Sequence, residues 1–205
     1  MAVEYGPPVQ IRVCVLRAPR VSTQRVGELI AAVNTEFSAY GIEVVVPWVR
    51  PWARSGFAFQ SLFDDVAQRP LEAPCDRLMA FVDRNAADFF WGLLMPEVLG
   101  AVDDHAHTHG YVVANRVSLN QVFRPPKAIT VHEFYHLLGC PHAGVMSDCY
   151  ERIAALKRSF DPGNDFFPAV APDGSFLLTR ESADAEMRKT IAKNPPQASL
   201  VDTAP

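Results

Sequence analysis

The chain has 205 residues, of which 49% are hydrophobic and 20% are charged, so it can bury the core of one globular domain. A formal net charge of −4 gives no broad basic field, which excludes nucleic acid as an expected partner. No apolar run reaches membrane-spanning length, and the first residues lack the basic and apolar regions of a secretory signal. We therefore expect a cytoplasmic monomer without a membrane partner, while export by a signal-independent route stays open.

The amino-terminal half predicts strands that alternate with helices. Apolar and polar side chains alternate over residues 9 to 17, which is typical of a strand. Ser22 can cap a helix that extends to about Tyr40, because apolar residues recur there at helical spacing, and Gly41 can end it. The other elements predicted in this half are strands at 42–48, 76–82 and 110–114 and short helices at 59–67 and 86–94.

In the carboxy-terminal half, a helix is expected to begin near Pro126 or Lys127, since proline is tolerated in a first turn. Asp148 can cap a second helix that reaches about Ser159. An Asp-Pro-Gly-Asn sequence from Asp161 then breaks the chain. After this break we expect a hairpin at 166–180, a polar helix at 181–193 and a flexible tail at 194–205.

The most informative segment begins at His132 and reads His-Glu-Phe-Tyr-His-Leu-Leu-Gly-Cys-Pro-His. His132 and His136 are four residues apart, so on a helix they project from one face and can bind one metal ion. Glu133 lies beside the first histidine, where its carboxylate can take a proton from a metal-bound water. Gly139 allows a sharp turn that would bring His142 back as a third ligand. Three nitrogen ligands and a water form an open, catalytic type of zinc site.

Every fixed position of His-Glu-x-x-His-x-x-Gly-x-x-His is present, so the segment resembles the signature of the metzincin clan of zinc metallopeptidases. The resemblance is specific over residues 127 to about 150. It implies that Met146, four residues after the third histidine, forms an apolar floor under the histidines. Cys140 and Cys149 form a pair that is similar to one in archaemetzincins, although the further downstream cysteines of that family are missing.

Two tyrosines near the motif are candidate contacts of the substrate. Tyr150 lies four residues after Met146, whereas several metzincin families place a tyrosine two residues after that methionine. Tyr135 lies inside the motif. Either hydroxyl could donate a hydrogen bond to the developing oxyanion, but Tyr135 is more often a packing residue in such a helix.

The resemblance also implies the fold class. We expect an α+β, metzincin-like zincin, with a mixed, twisted sheet of about four to five strands over the active-site helix and a small, mainly helical carboxy-terminal subdomain. Residues 1–142 would form the sheet and active-site helix, residues 143–193 the second subdomain, and residues 194–205 the tail.

In that fold an edge strand lines the cleft and pairs with an extended peptide substrate by strand addition. Residues 109 to 116, just upstream of the motif, are the predicted edge. The candidate substrate-binding residues within it are Gly110, Tyr111, Val112, Val113 and Ala114.

The functional prediction is a zinc-dependent metalloendopeptidase with one catalytic zinc ion and a peptide or protein substrate. Glu133 would act as general base on the water that attacks the scissile carbonyl and would later protonate the leaving amine. Two alternatives are a zinc-stabilised protein-binding module without turnover and a zinc amidohydrolase that acts on a non-peptide amide.

A run of alternating histidines upstream allows a second interpretation of the chain's metal chemistry. On an extended segment His105, His107 and His109 would point to one side, and Asp103 or Asp104 could join them in a second metal site. The alternative, which we favour, is a solvated polar loop before the next strand.

The four cysteines show no metal-binding spacing by themselves. Cys14 and Cys75 lie in apolar, strand-like runs and are expected to be buried thiols. A disulfide between Cys140 and Cys149 is sterically conceivable, but the expected cytoplasmic setting favours two free thiols.

Overall fold

The computed structural model describes residues 4–53, 59–84, 98–115, 125–141 and 145–193. Within these ranges the strands are β1 (Val9–Arg17), β2 (Ile42–Val45), β3 (Val49–Pro51), β4 (Arg77–Val82), β5 (Gly100–Val102), β6 (His109–Val113), β7 (Ala169–Val170) and β8 (Phe176–Leu177). The helices are α1 (Thr23–Phe37), α2 (Phe59–Ala67), α3 (Pro126–Leu137), α4 (Met146–Ser159) and α5 (Arg180–Lys193), with a 3-10 turn at Ser38–Tyr40. The predicted helix at 86–94 lies outside the described residues.

The central sheet has six strands in the order β2-β1-β4-β6-β5, and β3 pairs with the second half of β1. The pairs β2–β1, β1–β4 and β4–β6 are parallel, whereas β5 runs antiparallel to β6. The α+β class predicted from the sequence is thereby confirmed at the level of a mostly parallel sheet with helices.

One prediction about this sheet is wrong. Strand β6, which contains Gly110, Tyr111, Val112 and Val113, lies between β4 and β5 and is buried at every position. It is therefore an interior strand and not the edge expected at 109 to 116. The described strand order ends instead at β5, which has only three residues and is the one antiparallel member of the described six-stranded sheet.

Apolar side chains cover both faces of the sheet. Along β1, Val13 and Val15 enter one core, while Cys14 and Leu16 enter the other. The first core contains the buried faces of helices α1, α3 and α4, and the second contains those of α2 and α5. A strand that alternates side chains between two buried faces produces this division.

Helix α1 begins and ends as its sequence predicts. The Ser22 side chain accepts a hydrogen bond from the Arg25 backbone N–H at 3.1 Å, which caps the first turn. The α-helix ends at Phe37, and the 3-10 turn continues to Tyr40. Gly41 follows with a φ of +63°, a conformation that glycine adopts without steric cost.

Both predictions about the cysteines need correction, because all four form disulfides. Cys14 on β1 is bonded to Cys75, which precedes β4, and Cys140 after α3 is bonded to Cys149 on α4. Cys14 and Cys75 are buried as expected, but none of the four cysteines is a free thiol. The pairing of β1 with β4 brings Cys14 close to Cys75, and the turn after α3 brings Cys140 close to Cys149. In the described part of the chain, no helix has the length and apolarity needed to cross a membrane.

The carboxy-terminal segment agrees with its predicted elements, with shifted bounds. Helix α4 begins at Met146, three residues before the expected Cys149, and ends at Ser159 as expected. The predicted hairpin is present as the short pair β7 and β8, and the polar helix as α5. The division into subdomains at residue 142 stays a prediction.

Candidate metal centre

Helix α3 carries the histidine motif and ends at the predicted glycine turn. Pro126 occupies its first turn, where a missing N–H leaves no hydrogen bond unmade. At the other end, Gly139 has a φ of +79° and donates its N–H to the His136 carbonyl at 2.8 Å. A Cβ at this position would lie 2.7 Å from Val170, so packing as well as conformation requires glycine.

The two described histidines of the motif converge. Their Nε2 atoms lie 3.1 Å apart, and their rings are perpendicular with centroids 4.6 Å apart. Two imidazole nitrogens on one tetrahedral zinc ion, each about 2.0 to 2.1 Å from the metal, are separated by about 3.3 Å. The separation of Nε2 in His132 and His136 therefore fits two ligands of one zinc ion. His132 is exposed and His136 is buried, so the pair lies where the helix meets solvent.

A backbone carbonyl fixes the orientation of the second imidazole. His136 Nδ1 lies 2.6 Å from the Cys140 carbonyl oxygen. Because a carbonyl can only accept, Nδ1 carries the proton and donates it. In a neutral imidazole this leaves the lone pair on Nε2, on the side of His132. A metal-binding histidine is commonly oriented by such a bond through its other nitrogen.

Glu133 is a buried carboxyl group beside this pair. The side chain is 4% exposed, and its carboxyl carbon and Oε1 pack against Gly100 on β5. Burial raises the pKa of Glu133 to about 7. Its Oε2 is buried and makes no hydrogen bond to any of the described residues. A buried carboxyl oxygen without a partner, on the turn that carries the histidines, suits a general base that serves a bound water.

Two further residues, His142 and Met146, were predicted for this site. His142, the predicted third ligand, lies outside the described residues. Met146 begins α4 and its side chain is 49% exposed, whereas a floor under the histidines would be covered. The exposure of Met146 therefore argues against the predicted floor.

The two candidate tyrosines belong to an aromatic cluster with α1. The Tyr135 hydroxyl donates to Glu36 Oε1 at 2.6 Å and also lies 2.7 Å from the Tyr40 hydroxyl. Burial, followed by these bonds, raises the Tyr135 pKa. The Tyr150 ring lies 5.8 Å from that of Tyr40. Tyr135 and Tyr150 thus both pack in this cluster, and a contact of either hydroxyl with the oxyanion stays a prediction.

The histidine run before β6 does not assemble the second metal site. Asp103 is buried, and its two carboxylate oxygens accept hydrogen bonds from five successive backbone N–H groups, those of residues 105 to 109. The ring of His109 bonds Thr108 Oγ1 at 2.8 Å and the Arg69 carbonyl at 2.9 Å. The expected solvated loop is wrong as well, because this segment is a tight and largely buried turn. Among the described residues there is no group of three or more possible metal-binding side chains.

A buried arginine that sequence reasoning missed supports the end of α3. Arg77 is 1% exposed and donates to the carbonyls of Leu137 at 2.9 Å and Pro168 at 2.6 Å. Its burial lowers its pKa to about 10. The available signal was an Asp-Arg pair directly before an apolar strand, where a charge needs buried partners.

Gly100 was also missed as a residue of the site. An added Cβ would lie 2.6 Å from Glu133 Cγ and 2.7 Å from Oε1. Only a residue without a side chain therefore leaves the observed space for this carboxyl group. No pattern in the sequence around Gly100 indicates this contact, because it joins a three-residue strand to a helix about 30 positions later.

Comparison with known proteins assigns no family to this centre. No protein-family model matches the chain, and no curated protein matches it at a significant level. The interpretation of the centre therefore depends on its residues and their geometry.

Proposed function

We propose that the protein is a zinc-dependent metallopeptidase with a metzincin-like active site. One observation carries the proposal: the Nε2 atoms of His132 and His136 lie 3.1 Å apart on one helix, beside the buried Glu133 carboxyl group. His132 and His136 would hold the metal, with His142 as the proposed third ligand. A bound zinc ion would acidify a water molecule and polarise the carbonyl of the substrate.

The residues around the metal supply positioning and proton transfer. Glu133 accepts a proton from the attacking water and later donates it to the leaving amine. Its surroundings suit this role, because the carboxyl group is buried and its Oε2 makes no hydrogen bond to the described residues, so a bound water can supply that partner. His136, oriented by the Cys140 carbonyl, keeps its Nε2 lone pair on the metal side.

The position of β5 supports an extended polypeptide as the substrate. β5 ends the described strand order and packs against α3, and its Gly100 touches the Glu133 carboxyl group. A peptide that pairs with β5 by strand addition would place its backbone carbonyls beside that carboxyl group. We therefore assign to Gly100–Val102 the role predicted for residues 109 to 116.

Two other functions are compatible with a zinc site here. A binding module without turnover would use the metal for stability, yet such sites are usually closed by four protein ligands and need no general base. The buried Glu133 carboxyl group favours hydrolysis over this alternative. A non-peptide amide could use the same chemistry, and the position of β5 at one end of the described strand order favours a peptide.

The disulfides bear on where the protein works. Stable disulfides are typical of oxidising compartments and rare in the cytosol. Cys14–Cys75 and Cys140–Cys149 therefore favour an oxidising location over the expected cytoplasm. Thiol titration of the denatured, unreduced protein tests whether the two disulfides are formed. Purified protein should show no reactive thiol before reduction and four after it.

Zinc content and peptide cleavage, measured on matched variants, test the proposed function. Wild type and Glu133→Gln should each bind one zinc ion, whereas His136→Ala should bind it much more weakly. Only wild type should cleave peptides. Zinc in all three proteins at equal affinity, or equal cleavage by Glu133→Gln, would contradict the proposal.

A further inference from the structure

The carbonyl that orients His136 belongs to a cysteine in a disulfide. His136 and Cys140 are each 3% exposed, and the bond from Nδ1 to the Cys140 carbonyl is short, at 2.6 Å. A buried imidazole whose Nδ1–H donates a short hydrogen bond to a fixed carbonyl is restricted to one tautomer and one ring orientation. The position of the Cys140 carbonyl therefore determines whether Nε2 of His136 presents its lone pair to a metal ion.

Two local features of the backbone hold Cys140 near α3. Its N–H donates to the Tyr135 carbonyl at 3.1 Å, and the preceding Gly139 makes the left-handed turn. These contacts lie at a helix end, which is the part of a helix that frays most easily. With these two contacts alone, the position of the Cys140 carbonyl would change whenever the last turn of α3 frays.

The disulfide adds a connection from this turn to the core. Cys149 is 4% exposed and lies on α4, whose Ile153 and Leu156 are fully buried in the same core as α3. The bond between Cys140 and Cys149 thus joins the carbonyl that orients His136 to a helix anchored by apolar packing. Fraying of the end of α3 would have to move α4 as well.

We propose that the Cys140–Cys149 disulfide is a positioning element for the second zinc ligand, and that zinc affinity depends on it. The inference rests on the proposed zinc site, although the orientation of His136 can be tested without metal. Loss of the disulfide releases the Cys140 carbonyl, so His136 samples its other tautomer and other ring orientations. Loss of an outer partner of a metal-binding histidine weakens metal binding by about 10- to 100-fold, and we expect a decrease of that size.

The second disulfide provides a matched control. Cys14 and Cys75 are as deeply buried, but they lie in the core on the other face of the sheet from α3. Removing this pair takes away a disulfide and two sulfur atoms but leaves Cys140, whose carbonyl bonds His136, in its own disulfide. We therefore expect Cys14→Ala/Cys75→Ala to keep the zinc affinity and the His136 tautomer of wild type.

The experiment compares wild type, Cys140→Ala/Cys149→Ala and this control in two measurements. Zinc affinity is determined by competition with a chelator of known affinity. The His136 tautomer is determined in the metal-free proteins by proton–nitrogen NMR of ¹⁵N-labelled histidine, at about pH 8, where imidazole is neutral. We expect a pure Nδ1–H tautomer in wild type and control, and a mixture with about 10- to 100-fold weaker zinc binding in the Cys140→Ala/Cys149→Ala protein.

An unchanged His136 tautomer in the Cys140→Ala/Cys149→Ala protein would overturn the proposal. If no protein binds zinc, the proposed function fails, and the tautomer comparison alone decides the positioning role. If this variant does not fold, the tautomer is measured on the folded control protein, which keeps only the Cys140–Cys149 bond, before and after reduction by a phosphine. The phosphine gives two electrons to the sulfurs and takes oxygen from water, and the sulfurs take the protons. A single unchanged tautomer after reduction would again contradict the proposal.

Discussion

Replacing Gly100 with alanine tests whether β5 fixes the position of the Glu133 carboxyl group. The new Cβ would lie 2.6 Å from Glu133 Cγ, 2.7 Å from Oε1 and 2.8 Å from Cδ. Ordinary contact between such atoms is about 3.5 to 4 Å, so the Glu133 side chain must move by about 1 Å. The strand backbone need not move, because all three contacts are with one side chain.

A shift of this size has a predictable consequence for catalysis. Misplacing a catalytic group by about 1 Å can reduce the rate by about 100-fold. We therefore expect Gly100→Ala to lower kcat/KM by about 100-fold, mainly through kcat, while zinc content stays at the wild-type value. The three atoms nearest to the added methyl group all belong to Glu133, and none belongs to the proposed ligands His132 and His136.

Steady-state cleavage of a peptide substrate and zinc analysis of the same samples provide the measurement. Gly27→Ala is the matched control, because Gly27 is exposed on α1 and an added Cβ meets nothing within 4 Å. This control should keep full activity and gain about 1 kcal/mol of stability, since alanine is the better helix former. Equal activity of Gly100→Ala and wild type would refute the assigned contact between β5 and the base.

The remaining predictions concern stability. Removing the Cys14–Cys75 bond, with a sequence separation of 61, should lower the free energy of unfolding in urea by about 4 kcal/mol, because the unfolded chain gains loop entropy. A smaller loss than that caused by removing Cys140–Cys149, with a separation of 9, would contradict this. Arg77→Met should cost about 3 kcal/mol by the same assay, because buried carbonyls lose their donor, and unchanged stability would show that they find other partners. Burial lowers the pKa of His109 in the folded protein, so the unfolded chain takes up a proton first below about pH 6.5 and stability should fall as the pH falls. His109→Gln should reduce this pH dependence between about pH 8 and 5.5, and an identical dependence in the variant would assign it to other groups.

The local features of the centre could be predicted from the sequence. The four-residue spacing of His132 and His136 determines that they share a helix face, and the structure brings their Nε2 atoms together. Gly139 was expected to turn the chain, and it has the positive φ that a turn of this kind requires. Such features depend on a few consecutive residues, so the pattern alone carries the information.

Features that depend on strand order could not be predicted in this way. Residues 109–113 have the apolar pattern of a strand, but the pattern does not say whether the strand has one neighbour or two. Within the described residues, the strand order on this side of the sheet ends at Gly100–Val102, which is too short to show a period. Contacts across the sheet, such as Gly100 with Glu133, were missed for the same reason.

The cysteines and the histidine run show a second limit. For Cys140 and Cys149 the expectation of thiols came from an inferred compartment, whereas their bonding depends on the turn after α3. Likewise, the composition of the segment at 105–109 suggested a metal site or a solvated loop. Its conformation is set by the Asp103 carboxylate, which accepts hydrogen bonds from five backbone N–H groups. The composition of the segment does not reveal these hydrogen bonds.

The measurement that tests the central claim most directly is product analysis by mass spectrometry after zinc-loaded protein is incubated with a peptide library. The account predicts new peptide termini with wild type and none with Glu133→Gln at the same zinc content, because only the general base is lost. Cleavage of equal extent by both proteins would contradict hydrolysis through Glu133. Absence of cleavage by wild type that contains zinc would contradict the peptidase assignment and favour the binding module.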